Sequence, residues 1–115
     1  MKQEEAFKLI LPDEVLEYFT VVNAEKSQET YLIYLDEKNI PPSEKSEGQL
    51  VSKGFYDQIT VQDFPLRGKA CYLKVKRRRW MDIETGKIVS RDWDLVAKGT
   101  RMTVEFATFL KAINR

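Results

Sequence analysis

Residues 62–80 read QDFPLRGKACYLKVKRRRW, and the predicted fold is organised around this stretch. Apolar and cationic side chains alternate along it, the apolar ones being Cys71, Leu73 and Val75 and the cationic ones Lys74, Lys76 and Arg78. A period of two indicates a half-buried strand with one solvated, positive face. The alternation fails at Arg77 and Arg79, so we expect the strand to run past the edge of the core there.

Turn signals lie on both sides of this strand. The segment FPLRG at 64–68 predicts a turn, and through it an antiparallel pairing of residues 51–62 with residues 69–79. Gly54 is a candidate break in the first of these two strands. On the other side, DIETGKIVS at 82–90 indicates a hairpin around Gly86 that leads to one more short strand.

Two further strands are predicted near residues 20–25 and 30–37, around a turn at 25–28. The second of them is apolar at both parities, with Tyr31, Ile33 and Leu35 alternating with Leu32 and Tyr34. Such a strand lies inside a sheet that is covered on both faces, or lies against a partner.

Helices are predicted towards both ends of the chain. Near the start, Pro12 suits a first helical position and precedes two acidic residues. Near the end, apolar residues recur at helical spacing, at Met102, Phe106, Phe109, Leu110 and Ile113. Thr100 or Thr103 can cap that helix. We therefore expect one domain over residues 1–115, of α+β class, with a small antiparallel sheet of meander or hairpin type.

Composition excludes several kinds of site. The chain has no histidine and one cysteine, Cys71, so a closed zinc site and any triad with histidine are ruled out. Asp92 and Asp94 are interpreted as solvated or capping carboxylates. We predict no catalytic residue, no cofactor, no metal and no enzymatic activity.

The sequence contains neither a membrane span nor an export signal by the usual criteria. No apolar run reaches about 18 residues, and the acidic start MKQEEAFKLILPDE has too short an apolar run for a signal peptide. We expect a cytoplasmic protein without membrane contact.

Charge is divided unevenly along the chain, although its net value is only +1. Residues 1–49 have a net charge of −6 and residues 50–115 a net charge of +7. This asymmetry favours a polyanionic partner, nucleic acid above all.

The candidate nucleic-acid-binding residues are seven cations without an intervening carboxylate and one aromatic residue: Arg67, Lys69, Lys74, Lys76, Arg77, Arg78, Arg79 and Trp80. Lysine and arginine bind phosphate oxygens, and aromatic rings stack on bases. Contacts to about five or six phosphates would give a log–log salt slope of about −5. The alternatives are a solvated edge strand whose charges prevent aggregation, or cations that pair with the acidic first half.

The segment ITVQDFPLRGKACYLKVKRRRW at 59–80 resembles the N-terminal region of insertion-sequence transposases of the ISL-three group, and most closely the ISAon-type subgroup. Similarity also extends over EKNIPP at 37–42 and SKGFY at 52–56, and more weakly over the helical segments 10–19 and 90–115. In the wider group the arginines are typically followed by a Cys-x-x-Cys pair, which is part of a four-cysteine zinc site, whereas here WMDIETGKIV follows them. The segment looks like a zinc ribbon without its metal, in which Trp80, Met81, Ile83, Ile88 and Trp93 would have to pack instead.

The resemblance implies a DNA-binding module that recognises element ends while a separate transposase subunit supplies catalysis. One alternative is a protein-interaction module, whose exposed C-terminal helix docks onto that catalytic subunit. Another is an orphaned transposase fragment. RNA binding by aromatic stacking is less favoured, because the sequence does not show the alternating aromatic platform of a stacking sheet.

Overall fold

The computed structural model describes residues 7, 9–42, 49–99 and 102–114. Within these ranges the chain forms seven strands and three helices. The strands are β1 (Phe19–Lys26), β2 (Thr30–Glu37), β3 (Leu50–Phe55), β4 (Ile59–Leu66), β5 (Lys69–Lys76), β6 (Arg78–Asp82) and β7 (Ile88–Val89). The helices are α1 (Asp13–Tyr18), α2 (Trp93–Lys98) and α3 (Val104–Ile113). The predicted α+β class, with helices near both ends, is confirmed.

The strands form two sheets, of order β1-β2-β5-β4 and β3-β6-β7. We call them the first sheet and the second sheet. Every strand pair is antiparallel except β2 with β5, which run parallel from Thr30 opposite Ala70 to Asp36 opposite Lys76. The sequence predicted a single antiparallel sheet and did not indicate the parallel pair, because β2 and β5 are far apart in the chain.

The pairing through FPLRG is confirmed for β4 and β5, which begin their register at Ile59 opposite Val75. The turn between them consists of Arg67 and Gly68, both with positive φ, at 50° and 76°. Positive φ at two successive positions gives the twist that a tight hairpin needs, and glycine adopts it without steric cost.

The two strands predicted at 51–62 and 69–79 are each split in the structure. The first leaves the sheet at residues 56–58, so β3 pairs with β6 and only β4 pairs with β5. The second is interrupted at Arg77, whose carbonyl accepts a hydrogen bond from the Tyr56 amide at 2.8 Å. This hydrogen bond joins the two interrupted segments, and it marks the boundary between the first sheet and the second sheet.

The main core lies on one face of the first sheet, beneath the helices. Phe19 stacks on Trp93 at 5.4 Å between ring centroids and meets Phe109 edge-on at 5.5 Å. The strands contribute Ile33, Leu35, Val61, Cys71, Leu73 and Val75, all of them buried.

Helix α3 is part of this core. Four residues of the predicted apolar stripe are buried, namely Phe106, Phe109, Leu110 and Ile113, whereas Met102 precedes the helix and is exposed. Thr103 is confirmed as the N-cap, because its hydroxyl accepts the Phe106 amide at 3.1 Å. The alternative cap, Thr100, lies outside the described residues. These four residues are thus packed within the chain's own core.

The hairpin after the arginines is also confirmed, as β6 pairs with β7 through Trp80 opposite Val89. Its turn is closed by a hydrogen bond of 2.7 Å, which the Gly86 amide donates to the Asp82 carbonyl. The packing predicted for this hairpin is wrong for three of its five residues, because Ile83 and Ile88 are exposed and Trp93 belongs to the main core. Trp80 lies within the hairpin and is fully buried.

Across the part of the chain that the structure describes, no helix has the length and apolarity needed to cross a membrane.

Burial of α3 predicts the cost of truncating it. Phe106→Ala should lower the free energy of unfolding by about 3–5 kcal/mol, because it removes a fully buried ring. Val104→Ala in the same helix is the matched control, since Val104 is 73% exposed, and its effect should stay within about 0.5 kcal/mol. Urea denaturation of both variants measures the difference, and equal losses would contradict this placement of the helix.

Candidate nucleic-acid interface

The eight predicted binding residues fall into three groups in the structure. The first group, Arg67 and Lys69, lies at the turn between β4 and β5. Lys69 donates from Nζ to the Ser27 carbonyl at 2.9 Å, and its ammonium lies 5.4 Å from the Tyr31 ring centroid. The eight residues of β5 span about 25 Å, so these two cations are well separated from the arginine run.

The second group joins the two sheets, and Arg78 is its centre. The Arg78 guanidinium donates from Nε and Nη2 to the Glu37 carbonyl, at 3.2 and 3.0 Å, and from Nη1 to the Ser52 hydroxyl at 2.6 Å. It also lies 4.5 Å from the Phe55 ring centroid. The sequence placed Arg78 on the solvated face, whereas its side chain holds the end of β2 against β3.

The Glu37 carboxylate is the buried counterpart of this contact, with 1% of the residue exposed. Its Oε1 accepts the Arg78 amide at 2.9 Å, and its Oε2 accepts Nε of Arg91 at 3.3 Å. Arg91 also donates to the Ile40 carbonyl. Burial raises the pKa of Glu37 above its ordinary value, and the hydrogen bonds and positive charges of Arg78 and Arg91 oppose that rise. We call Glu37, Arg78 and Arg91 the junction.

Arg77 and Trp80 are also turned inward. Arg77 donates from Nη1 to the Ile113 carbonyl at 3.2 Å, and its guanidinium lies 5.5 Å from the Tyr56 ring centroid. Trp80 is fully buried. Both side chains are engaged inside the chain, so their placement does not favour contact of Arg77 or Trp80 with bases. Arg77, the irregular residue between β5 and β6, reverses the alternation of inward and outward side chains. Arg78 and Trp80 therefore point inward.

The third group consists of Lys74, Lys76 and Arg79. Lys74 donates to the Thr60 hydroxyl at 2.9 Å, and Lys76 is exposed. Arg79 lies on the face of β6 opposite Trp80, with its guanidinium 5.9 Å from the Tyr56 ring centroid. Among the described residues, none of these three cations has a carboxylate oxygen within 4.0 Å, since Glu37 with Arg91 is the one ion pair found there. The carboxylates of the described part of the first half, residues 9–42, therefore form no ion pair with these three cations.

Lys74 and Lys76 lie on a face of the first sheet that was not predicted from the sequence. The buried apolar side chains of β2 and β5 belong to the core on the opposite face, under the helices. The face with the lysines instead presents partly exposed apolar and aromatic side chains, which are Leu32, Tyr34 and Tyr72. We call it the open face. The one feature of the sequence that indicated this face was β2, in which both odd-numbered and even-numbered positions carry apolar residues.

The open face has a charge gradient from one side to the other. In register, Tyr34 lies opposite Lys74 and Asp36 lies opposite Lys76. On the outer strand β1, Glu25 lies opposite Leu32. The carboxylates therefore lie on β1 and β2, and the cations lie on β5.

Two groups considered for chemistry have structural roles. Burial, together with the nearby Asp63 carboxylate, raises the pKa of the Cys71 thiol to about 11. A buried thiol that stays protonated at neutral pH is a poor nucleophile. Asp92 caps α2, accepting the amides of Asp94 and Leu95 at 3.0 and 3.2 Å, in agreement with the capping interpretation.

The chain matches no model of a known protein family, no curated protein and no solved structure. The resemblance to transposase N-terminal regions thus remains an expectation from the residues quoted above.

The division of the arginine run predicts opposite behaviour of two neighbours. Arg78→Ala should lower the free energy of unfolding by about 1.5–3 kcal/mol, because it removes charge-assisted hydrogen bonds at a buried carbonyl. Arg79→Ala should change it by less than about 0.5 kcal/mol and should weaken nucleic-acid binding instead. Urea denaturation and a fluorescence binding titration measure the two effects. If Arg79→Ala were the more destabilising variant, the assignment of the two side chains would be reversed.

Proposed function

We propose that this chain is a non-enzymatic DNA-binding module of an insertion-sequence transposition system, acting in the cytoplasm, which holds element DNA while a separate chain supplies catalysis. The observation that carries the proposal is the group Lys74, Lys76 and Arg79, which projects outward without a carboxylate partner among the described residues. The transposition context comes from the resemblance of residues 59–80 alone.

The geometry favours phosphate binding as the main source of affinity. Lys74 and Lys76 are point charges two residues apart on one strand face, and Arg79 adds a planar guanidinium that can bind two phosphate oxygens at once. Three such cations release about three counterions on binding, so the expected salt slope is about −3 rather than the −5 expected from the whole basic run.

Binding is favoured over catalysis by the state of the reactive groups. The Cys71 thiol is buried and protonated, and Asp92 is engaged as a helix cap. Phosphate contacts from lysine and arginine position DNA without cleaving it. This supports a module that binds and leaves chemistry to another chain.

One observation favours the second candidate, a protein-interaction module. Val51, Met81 and Ile88 lie in one row across the second sheet, and all three are at least partly exposed. An exposed apolar row is typical of a protein contact. The docking surface for a catalytic subunit would then be this row, not α3. Binding of that subunit in the absence of DNA, lost in Met81→Asp, would favour this candidate.

The proposal predicts a salt-dependent titration with a specific loss. The chain should bind element-end duplex DNA with a log–log salt slope of about −3, and Lys74→Ala with Lys76→Ala should flatten the slope by about two. Fluorescence anisotropy at several salt concentrations measures both quantities, and a scrambled duplex tests sequence preference.

The matched control for this titration is Lys98→Ala with Lys111→Ala. It removes the same charge from exposed positions on α2 and α3, at the helical side of the first sheet. The control should keep the slope of the unmodified protein. Absence of binding at low salt, or an equal loss in the control, would contradict the proposal.

A further inference from the structure

The tyrosines of this chain divide into two classes by their surroundings. Three have a ring or cation partner: Tyr18 meets Trp93, Tyr31 lies under Lys26 and Lys69, and Tyr56 lies beside Arg77 and Arg79. For Tyr34 and Tyr72 the structure shows neither a ring contact nor a cation contact nor a hydroxyl hydrogen bond among the described residues. Both of these rings lie on the open face.

The fold places these two rings next to each other. Tyr34 is on β2 and Tyr72 is on β5, the two central strands of the first sheet. In the parallel register Tyr72 lies opposite Leu32 and Tyr34 lies opposite Lys74, so the two tyrosines are diagonal neighbours. Diagonal neighbours on a sheet are about 7–8 Å apart, which lets each ring receive its own base of an extended strand.

Charge and polarity define how such a strand would lie. Lys74 is beside Tyr34 and two residues from Tyr72, and Lys76 continues the same line. On the neighbouring β4, Thr60 and Gln62 lie in register with Lys74 and Tyr72. The carboxylates of Glu25 and Asp36 lie on the other two strands, β1 and β2. Phosphates would therefore follow β5, while the bases reach the two rings.

We infer that the open face binds an unpaired stretch of DNA, stacking one base on Tyr34 and one on Tyr72 while Lys74 and Lys76 contact the phosphates. The inference rests on the proposed function and narrows its substrate. Bases inside a duplex expose only their edges, whereas rings standing on a sheet stack on the faces of unpaired bases. The lysines that flank the rings favour a polyanion over a protein segment.

The test compares single strands with duplexes on the same protein variants. Tyr34→Leu and Tyr72→Leu keep apolar bulk and remove the aromatic face. Each should weaken binding of a short oligothymidylate by about 5- to 150-fold, which is the usual effect of losing one base–aromatic stack. Tyr34→Phe and Tyr72→Phe should restore most of the affinity, because phenylalanine keeps the stacking surface. Duplex binding should be unchanged in all four variants.

The outcomes separate this inference from the proposed function. Duplex binding without single-strand binding would overturn the inference and leave the proposed function intact, whereas failure to bind either form would overturn both. Tighter binding of an RNA oligomer than of the DNA oligomer of matching sequence would overturn the assignment to DNA. Photocrosslinking of iodouracil-substituted DNA uses the unmodified protein, so its result does not depend on whether a variant folds correctly. It should label Tyr34 or Tyr72, and labelling confined to other residues would overturn the inference.

Discussion

The buried carboxylate of Glu37 is the constraint on which the arrangement of the two sheets depends. A carboxylate removed from water is costly unless hydrogen bonds and positive charge replace its hydration. Here an amide of β6 and the Arg91 guanidinium supply that replacement, while the Glu37 carbonyl accepts two hydrogen bonds from Arg78. A single residue at the end of β2 thereby holds the second sheet and the segment that leads into α2.

The junction determines which part of the cationic run remains available for a partner. Arg77 and Arg78 bind backbone carbonyls within the chain, and Trp80 is enclosed. Between residues 74 and 79, the described contacts give Lys74, Lys76 and Arg79 neither a backbone carbonyl nor a carboxylate as partner. The cationic run looks like one continuous binding motif in the sequence. In the structure, some of its side chains hold the fold together and the others face solvent. Trp80 is therefore not offered for stacking on bases, and the proposed stacking residues are Tyr34 and Tyr72.

Local patterns in the sequence predicted the elements well, and long-range pairing accounts for what they missed. The alternation over residues 71–75, the FPLRG turn and the helical spacing from Phe106 to Ile113 each depend on neighbours in the chain, and all three are confirmed. The parallel contact of β2 with β5 joins segments that periodicity cannot relate. For that reason Tyr34 and Tyr72 were not recognised as one surface. The reversal of facing at Arg77 was also missed, because one irregular residue changes the parity of every residue after it.

We propose that the outward lysines and tyrosines contact nucleic acid and that the inward arginines do not. Nuclear magnetic resonance of the labelled chain during titration with oligothymidylate tests it directly, because backbone amides and arginine Nε–H groups are observed together. We expect the largest shifts at the amides of Tyr34, Tyr72 and Lys74, with little change at the Nε–H groups of Arg77 and Arg78. Largest shifts at those two guanidinium groups, with the β2 and β5 amides unchanged, would contradict it.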